Sequence, residues 1–191
     1  MNSELRLTVP TELRLMERGN DQLPLITGYA VVYNTLSMEL PNRSGNFREV
    51  IRPGAFADSL VSGEDVFARF EHRDVIGRVG NGTLRLFQDA RGVRYEIDPA
   101  DTTAGRDAVT LIRRGDVRGS SFGFAVLPGG ESWRRESSGQ IREITKAKLL
   151  EISPVANPAY TAASTSINGT GTEPAGQLSL LKMKLQIAER E

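Results

Sequence analysis

Residues 117–127 read VRGSSFGFAVL, and their alternation of residue types predicts a β-strand with one buried face. The predicted core-facing side consists of Ser120, Phe122, Phe124 and Val126. Ser121 then points the other way, between Gly119 and Gly123, because successive side chains of a strand alternate between its faces. Flanking glycines leave space in front of the serine hydroxyl, and a nucleophile needs such space for a substrate carbonyl. A strand that is merely kinked by glycines has the same pattern.

The segment 66–72 alternates in the same way and predicts a strand that ends near His72. Its expected core-facing side consists of Val66, Ala68, Phe70 and His72. A half-buried imidazole at a strand end, with a carboxylate such as Asp74 nearby, is suited to act as a general base. A lone histidine is more often structural or exposed, so the pattern leaves both interpretations open.

Glu151 lies near the end of a largely apolar stretch that predicts a strand over 140–152. A carboxylate in this place either orients and stabilises a histidine or pairs with an arginine. The second arrangement is the more common one, and arginine is abundant here because only four of the 24 basic residues are lysine. The residues alone therefore permit a Ser–His–carboxylate hydrolase without establishing it. The sequence contains no G-x-S-x-G elbow, phosphate-binding loop or dinucleotide fingerprint.

Composition narrows the classes of function further. The formal net charge of the 191 residues is zero, which gives no support to a nucleic-acid binder or a membrane-surface protein. Cysteine is absent and His72 is the single histidine, which excludes disulfides, thiolate metal sites, cysteine nucleophiles and two-histidine zinc sites. We therefore expect no metal and no cofactor. No run approaches ~18 apolar residues and the N-terminus lacks a signal-peptide core, which predicts a soluble, intracellular protein.

Short strands dominate the remaining prediction, and they are expected at 4–17, 25–33, 47–51, 83–88 and 92–98. Helices are expected over 52–61 and over 104–114, the second ending at Gly115 as a C-cap. Many strands with two helices predict a β-rich α+β fold in a single domain.

The C-terminal part differs in composition from this domain. Residues 161–176 are mostly Thr, Ala, Ser, Gly and Asn, which predicts a flexible linker, and residues 177–191 place leucines at helical spacing. We expect a catalytic domain over 1–165, a flexible linker over 166–176 and an amphipathic tail helix over 177–191.

Six blocks in a fixed order resemble the prohead (capsid maturation) serine proteases of tailed bacteriophages, a family related to the herpesvirus assemblin proteases. The blocks are GYAVVYN at 28–34, FREVI at 47–51 with PGAF at 53–56, His72 with Gly77-Arg78, SFGF at 121–124, EISPV at 151–155, and Pro158-Ala159. The resemblance covers about residues 4–165. It implies a single barrel-like antiparallel β domain, assemblin-like, with a few short flanking helices.

The resemblance also implies a function. The function implied is that of a serine endopeptidase, which cleaves the scaffolding region of the major capsid protein and its own C-terminus by acyl-enzyme chemistry. The partners implied are the major capsid protein with its scaffolding segment and further copies of the chain, without nucleic acid or membrane. The implied location is the host bacterial cytoplasm, inside the assembling prohead.

By position, the resemblance makes Ser121 the nucleophile, His72 the general base and Glu151 the third catalytic residue. Ser120 is a weaker candidate because strand alternation turns it inward. Assemblins use a second histidine as third member, which this chain lacks, so Asp74 and Asp116 remain alternatives to Glu151. Two non-enzymatic alternatives remain, an assembly factor with the same fold and a β-barrel peptide-binding module.

Overall fold

The computed structural model describes residues 3–8, 12–19, 22–42, 45–137 and 139–156. The predicted linker and tail helix lie outside these residues, as does the predicted end of the catalytic domain at residue 165. The strands of the described part are β1 (Glu4–Thr8), β2 (Arg14–Met16), β3 (Leu25–Val32), β4 (Leu40–Asn42), β5 (Gly45–Ile51), β6 (Phe67–Phe70), β7 (Asp74–Arg78), β8 (Leu84–Gln88), β9 (Gly92–Ile97), β10 (Gly119–Val126), β11 (Glu131–Glu136), β12 (Gly139–Ile144) and β13 (Ala147–Val155). Its α-helices are α1 (Ala57–Val61) and α2 (Thr103–Arg114).

These strands form three open sheets. Sheet A has the order β1-β10-β13-β6-β7, sheet B has β2-β3-β9-β8, and sheet C has β11-β12-β5-β4. The predicted β-rich fold is confirmed, but the expected barrel-like antiparallel arrangement is wrong in two respects. No sheet of the described residues closes on itself, and β13 pairs with β6, and β12 with β5, in parallel. A two-residue period identifies a strand and its faces but carries no information on partner or direction.

The local signals for helix α2 hold well. The Thr102 side chain accepts a hydrogen bond from the Gly105 amide, and Gly115 ends the helix with a φ of 80°. The helix predicted over 52–61 forms only in its second half, as α1, because Pro53 and Gly54 make a turn with Gly54 at a φ of 83°. No helix in the part of the chain described is long and apolar enough to cross a bilayer.

The core lies against the inner face of sheet A. Phe122 and Phe124 of β10 stack on each other, and both meet the edge of the Phe56 ring just before α1. Burial of three aromatic side chains in such geometry contributes both hydrophobic and ring–ring stabilisation. The inner row predicted for 117–127 is therefore confirmed for these phenylalanines, with Val126 only partly buried.

A buried ionic cluster joins β1 of sheet A to sheet C. Arg6 Nε donates to Glu49 Oε1 at 2.8 Å, and Arg142 bridges Glu49 Oε2 at 3.0 Å and Glu4 Oε1 at 2.8 Å. Burial by itself raises the pKa of Glu4, but hydrogen bonds and charges from Arg142 and Arg6 together hold that pKa below its ordinary value. Edge strand β1 is thus anchored by charge pairs as well as by its ladder to β10.

Candidate active site

The catalytic histidine candidate and its carboxylate are in direct contact. His72 Nδ1 lies 2.5 Å from Glu151 Oε1, and both side chains are about a quarter or less exposed. A carboxylate only accepts hydrogen bonds, so Nδ1 is the donor of this contact, and in the neutral imidazole Nε2 then has the free lone pair. This tautomer is the one that a general base needs.

His72 reaches Glu151 from a turn and not from a strand. The predicted strand over 66–72 ends at Phe70, and the Arg73 amide donates to the Phe70 carbonyl at 3.0 Å. Glu71 and His72 both have positive φ, 52° and 58°, as in the tight turns that join antiparallel strands. The expectation that His72 shares the core-facing row is therefore wrong, because the turn rotates its side chain toward Glu151 on the outer face.

Strand β13 holds this turn in place. The His72 amide donates to Ser153 Oγ at 2.8 Å, and that hydroxyl donates to the Arg69 carbonyl at 2.9 Å. The Glu71 amide donates to the Pro154 carbonyl at 3.2 Å. A left-handed conformation costs a non-glycine residue on the order of 1–3 kcal/mol. These hydrogen bonds offset that cost and fix the direction of the imidazole.

Ser121 lies on the same outer face of sheet A. In the register of β10 against β13, Ser121 is opposite Ser153 and Gly123 is opposite Glu151. Side chains directly opposite each other project from the same side of a sheet, with Cβ atoms about 4.5–5.5 Å apart. The sheet thus brings Ser121 beside the serine that holds the histidine turn.

The space over Gly123 is used by Glu151. A Cβ at residue 123 would lie 2.8 Å from Glu151 Cγ and 3.1 Å from Leu5 Cδ2. The sequence pattern suggested that this glycine clears space in front of the Ser121 hydroxyl. In the fold it makes room for the carboxylate side chain that reaches His72.

The Ser121 hydroxyl is bonded elsewhere. Ser121 Oγ donates at 2.9 Å to the Arg6 carbonyl of the neighbouring edge strand β1, and the residue is only 5% exposed. No hydrogen bond joins it to His72 in the described structure. The fold therefore places Ser121, His72 and Glu151 on one face of sheet A, and a direct hydrogen bond joins only His72 and Glu151 among these three.

Two of the three alternative residues, Ser120 and Asp116, have other partners. Ser120 is fully buried, and its hydroxyl shares a 2.7 Å hydrogen bond with Tyr95, so the predicted inward orientation is confirmed. Burial raises the pKa of that tyrosine. Asp116 pairs with Arg114 at the end of α2, and Asp74 begins β7. Neither carboxylate has a hydrogen bond or ion pair to His72 within the described residues.

Arg69 is the site residue that the sequence did not single out. Its Nε lies 3.0 Å from Glu151 Oε2, on the oxygen that His72 leaves free. Glu151 therefore contacts both a histidine and an arginine. The one sequence signal for this contact is the alternation over 66–72, which turns Arg69 away from the core-facing side.

Comparison with known proteins supplies the class of enzyme. The family model described as caudovirus prohead serine protease matches residues 10–177. No curated protein and no solved structure matches significantly.

Proposed function

The chain belongs to the caudovirus prohead serine protease family, and we propose that it cleaves the scaffolding region of the major capsid protein and its own C-terminus. Membership makes it a serine protease of capsid maturation, acting on capsid protein inside the assembling prohead in the host. The scaffolding segment as substrate and self-association of the chain are parts of the proposal.

The proposed chemistry uses Ser121 as nucleophile, His72 as general base and Glu151 as orienting carboxylate. The Ser121 hydroxyl first exchanges its bond to the Arg6 carbonyl for one to His72 Nε2, which requires a change of side-chain rotamer. Oγ then attacks the scissile carbonyl while the imidazole takes the hydroxyl proton. The imidazolium, stabilised by Glu151, gives this proton to the leaving amine, and water later hydrolyses the acyl-enzyme in the same way.

The observation that carries the proposal is the 2.5 Å contact of His72 Nδ1 with Glu151 on the face that holds Ser121. A histidine held by a carboxylate, on the sheet face that also holds the serine, supplies the base and the orienting group that activate a nucleophile once the serine hydroxyl turns to Nε2.

A fluorophosphonate probe tests this without a peptide substrate. Attack by Ser121 Oγ on phosphorus releases fluoride and leaves one phosphonyl adduct, which intact-mass spectrometry counts. We expect one adduct on the wild type, none on Ser121→Ala, and labelling at least ~10³-fold slower for His72→Ala. Ser120→Ala is the matched control and should still be labelled.

Self-cleavage gives a second readout in the same samples. A polar linker is a good protease substrate, so the wild type should lose about 2–3 kDa by cleavage within 161–176 while Ser121→Ala stays full length. Equal trimming of both proteins would identify a contaminating protease.

A non-enzymatic assembly factor is the second candidate. The observation in its favour is the Ser121 hydroxyl, which is buried and bonded to the Arg6 carbonyl. A wild-type protein that takes no adduct and is not trimmed would favour that candidate and refute the protease mechanism.

A further inference from the structure

We propose that Arg69 is a positioning residue of this site, which holds the Glu151 carboxylate in the orientation that His72 requires. This inference rests on the proposed function, since it assigns a role in the same proton transfer. The observation behind it is that one carboxylate is divided between two donors, with Oε1 on His72 Nδ1 and Oε2 on Arg69 Nε.

The guanidinium of Arg69 is itself held by three groups. Besides Glu151, its Nη1 donates to the Arg73 carbonyl at 2.9 Å, and its Cζ lies 5.6 Å from the centre of the Phe67 ring. Arg73 closes the turn that carries His72, and Phe67 is opposite Glu151 in the β6–β13 register. The Arg69 guanidinium therefore connects the Glu151 carboxylate to the turn that carries His72.

The backbone of Arg69 belongs to the same arrangement. Its carbonyl accepts from Ser153 Oγ, which in turn accepts from the His72 amide. Side chain and backbone of one residue thus contact both halves of the His72–Glu151 pair. A partly exposed ion pair contributes little to stability. Here, however, the Arg69 guanidinium limits rotation of the Glu151 carboxylate, whose other oxygen must stay in contact with His72.

Removing the guanidinium frees the carboxylate to rotate about its last torsion and loosens the 70–73 turn. A misplacement of about 1 Å in catalytic groups costs up to about 100-fold in rate. We expect Arg69→Ala to lower the maximal rate of fluorophosphonate labelling roughly 10- to 100-fold, with the half-saturating probe concentration little changed. Added methylguanidine should restore part of this loss, because it can occupy the vacated place beside Glu151.

Arg78 offers a matched control. It lies over the same Phe67 ring, with Cζ 5.2 Å from the ring centre, but pairs with Asp65 and not with Glu151. Arg78→Ala removes a somewhat more exposed arginine from the neighbouring strand and should leave labelling within about twofold of the wild type, as for surface substitutions away from a site.

A double-mutant cycle separates positioning from general structural damage. If Arg69 acts through Glu151, the Arg69→Ala change should have almost no further effect in the Glu151→Gln protein. The Arg78→Ala change should have the same small effect in the wild-type protein and in the Glu151→Gln protein. Thermal melting of each variant checks that folded protein is compared.

The outcomes distinguish this inference from the proposed function. Wild-type labelling at Ser121 with unchanged or faster labelling of Arg69→Ala would overturn the role of Arg69 alone. Additive losses for Arg69→Ala and Glu151→Gln would overturn it as well. Failure of the wild type to react at Ser121 would overturn the protease mechanism and this inference together.

Discussion

Substitution of Gly123 by alanine tests whether the space over this glycine is needed for the His72–Glu151 contact. The added Cβ would lie 2.8 Å from Glu151 Cγ, where ordinary contacts begin at 3.4 Å. The Glu151 side chain must therefore move by a few tenths of an ångström, because the backbone of β10, paired on both sides, cannot yield easily. Because Cγ carries the carboxyl group, this displacement is expected to disturb the 2.5 Å contact of Oε1 with His72 Nδ1, whose strength depends on a short distance and good alignment.

We expect Gly123→Ala to slow fluorophosphonate labelling of Ser121 roughly 10- to 100-fold, since sub-ångström to ångström misplacements have effects of this size. The cost in stability should be about 1 kcal/mol, near the low end for overpacking, because Glu151 is partly exposed and its side chain can shift. The assay is intact-mass quantification of the adduct over time, with denaturant unfolding of the same preparations.

Gly19→Ala is the control, because a Cβ at that position meets nothing within 4 Å. In the Glu151→Gln background, Gly123→Ala should add little to the loss of rate. Labelling of Gly123→Ala at the wild-type rate, in a protein as stable as the wild type, would refute the inference that this glycine serves the carboxylate.

Two further predictions concern stability. Ser120→Ala should retain most labelling activity but lose about 1–3 kcal/mol in denaturant unfolding, because the buried Tyr95 hydroxyl loses its partner; an unchanged midpoint would contradict this. The lowered pKa of Glu4 contributes stability that is present above its ordinary value of 4.5 and is lost as pH falls through the lower folded value. Glu4→Gln should thus be less stable than the wild type at pH 7, and this difference should shrink as unfolding is measured at pH values below about 4.5. A difference that is independent of pH would show that the charge of Glu4 does not matter.

Edge strand β1 connects stability to the proposed chemistry. Its Arg6 side chain lies in the ionic cluster with Glu49, while its Arg6 carbonyl holds the Ser121 hydroxyl. Because the side chain is anchored, release of the hydroxyl is expected from rotation of Ser121 rather than from departure of the strand.

The amino-acid sequence by itself determines the local features of this protein. The two-residue period over 117–127 places Ser120 and Ser121 on opposite faces of the strand, and the cap at Gly115 ends α2 where predicted. Such features depend on neighbours within a few residues, so they can be deduced from pattern and capping chemistry alone. By contrast, β11 has six exposed residues and no apolar alternation, and no pattern predicted it.

Which residues share the candidate active-site face is decided only by the tertiary structure. His72 and Glu151 are 79 residues apart, and the parallel pairing of β13 with β6 brings them together. The turn in which His72 has a positive φ is held by hydrogen bonds that its amides donate to β13, and the role of Gly123 depends on Glu151 on the neighbouring strand. Residue periodicity specifies which way each side chain points. Which side chains then meet is set by strand partner, direction and register, and these result from packing of the whole chain.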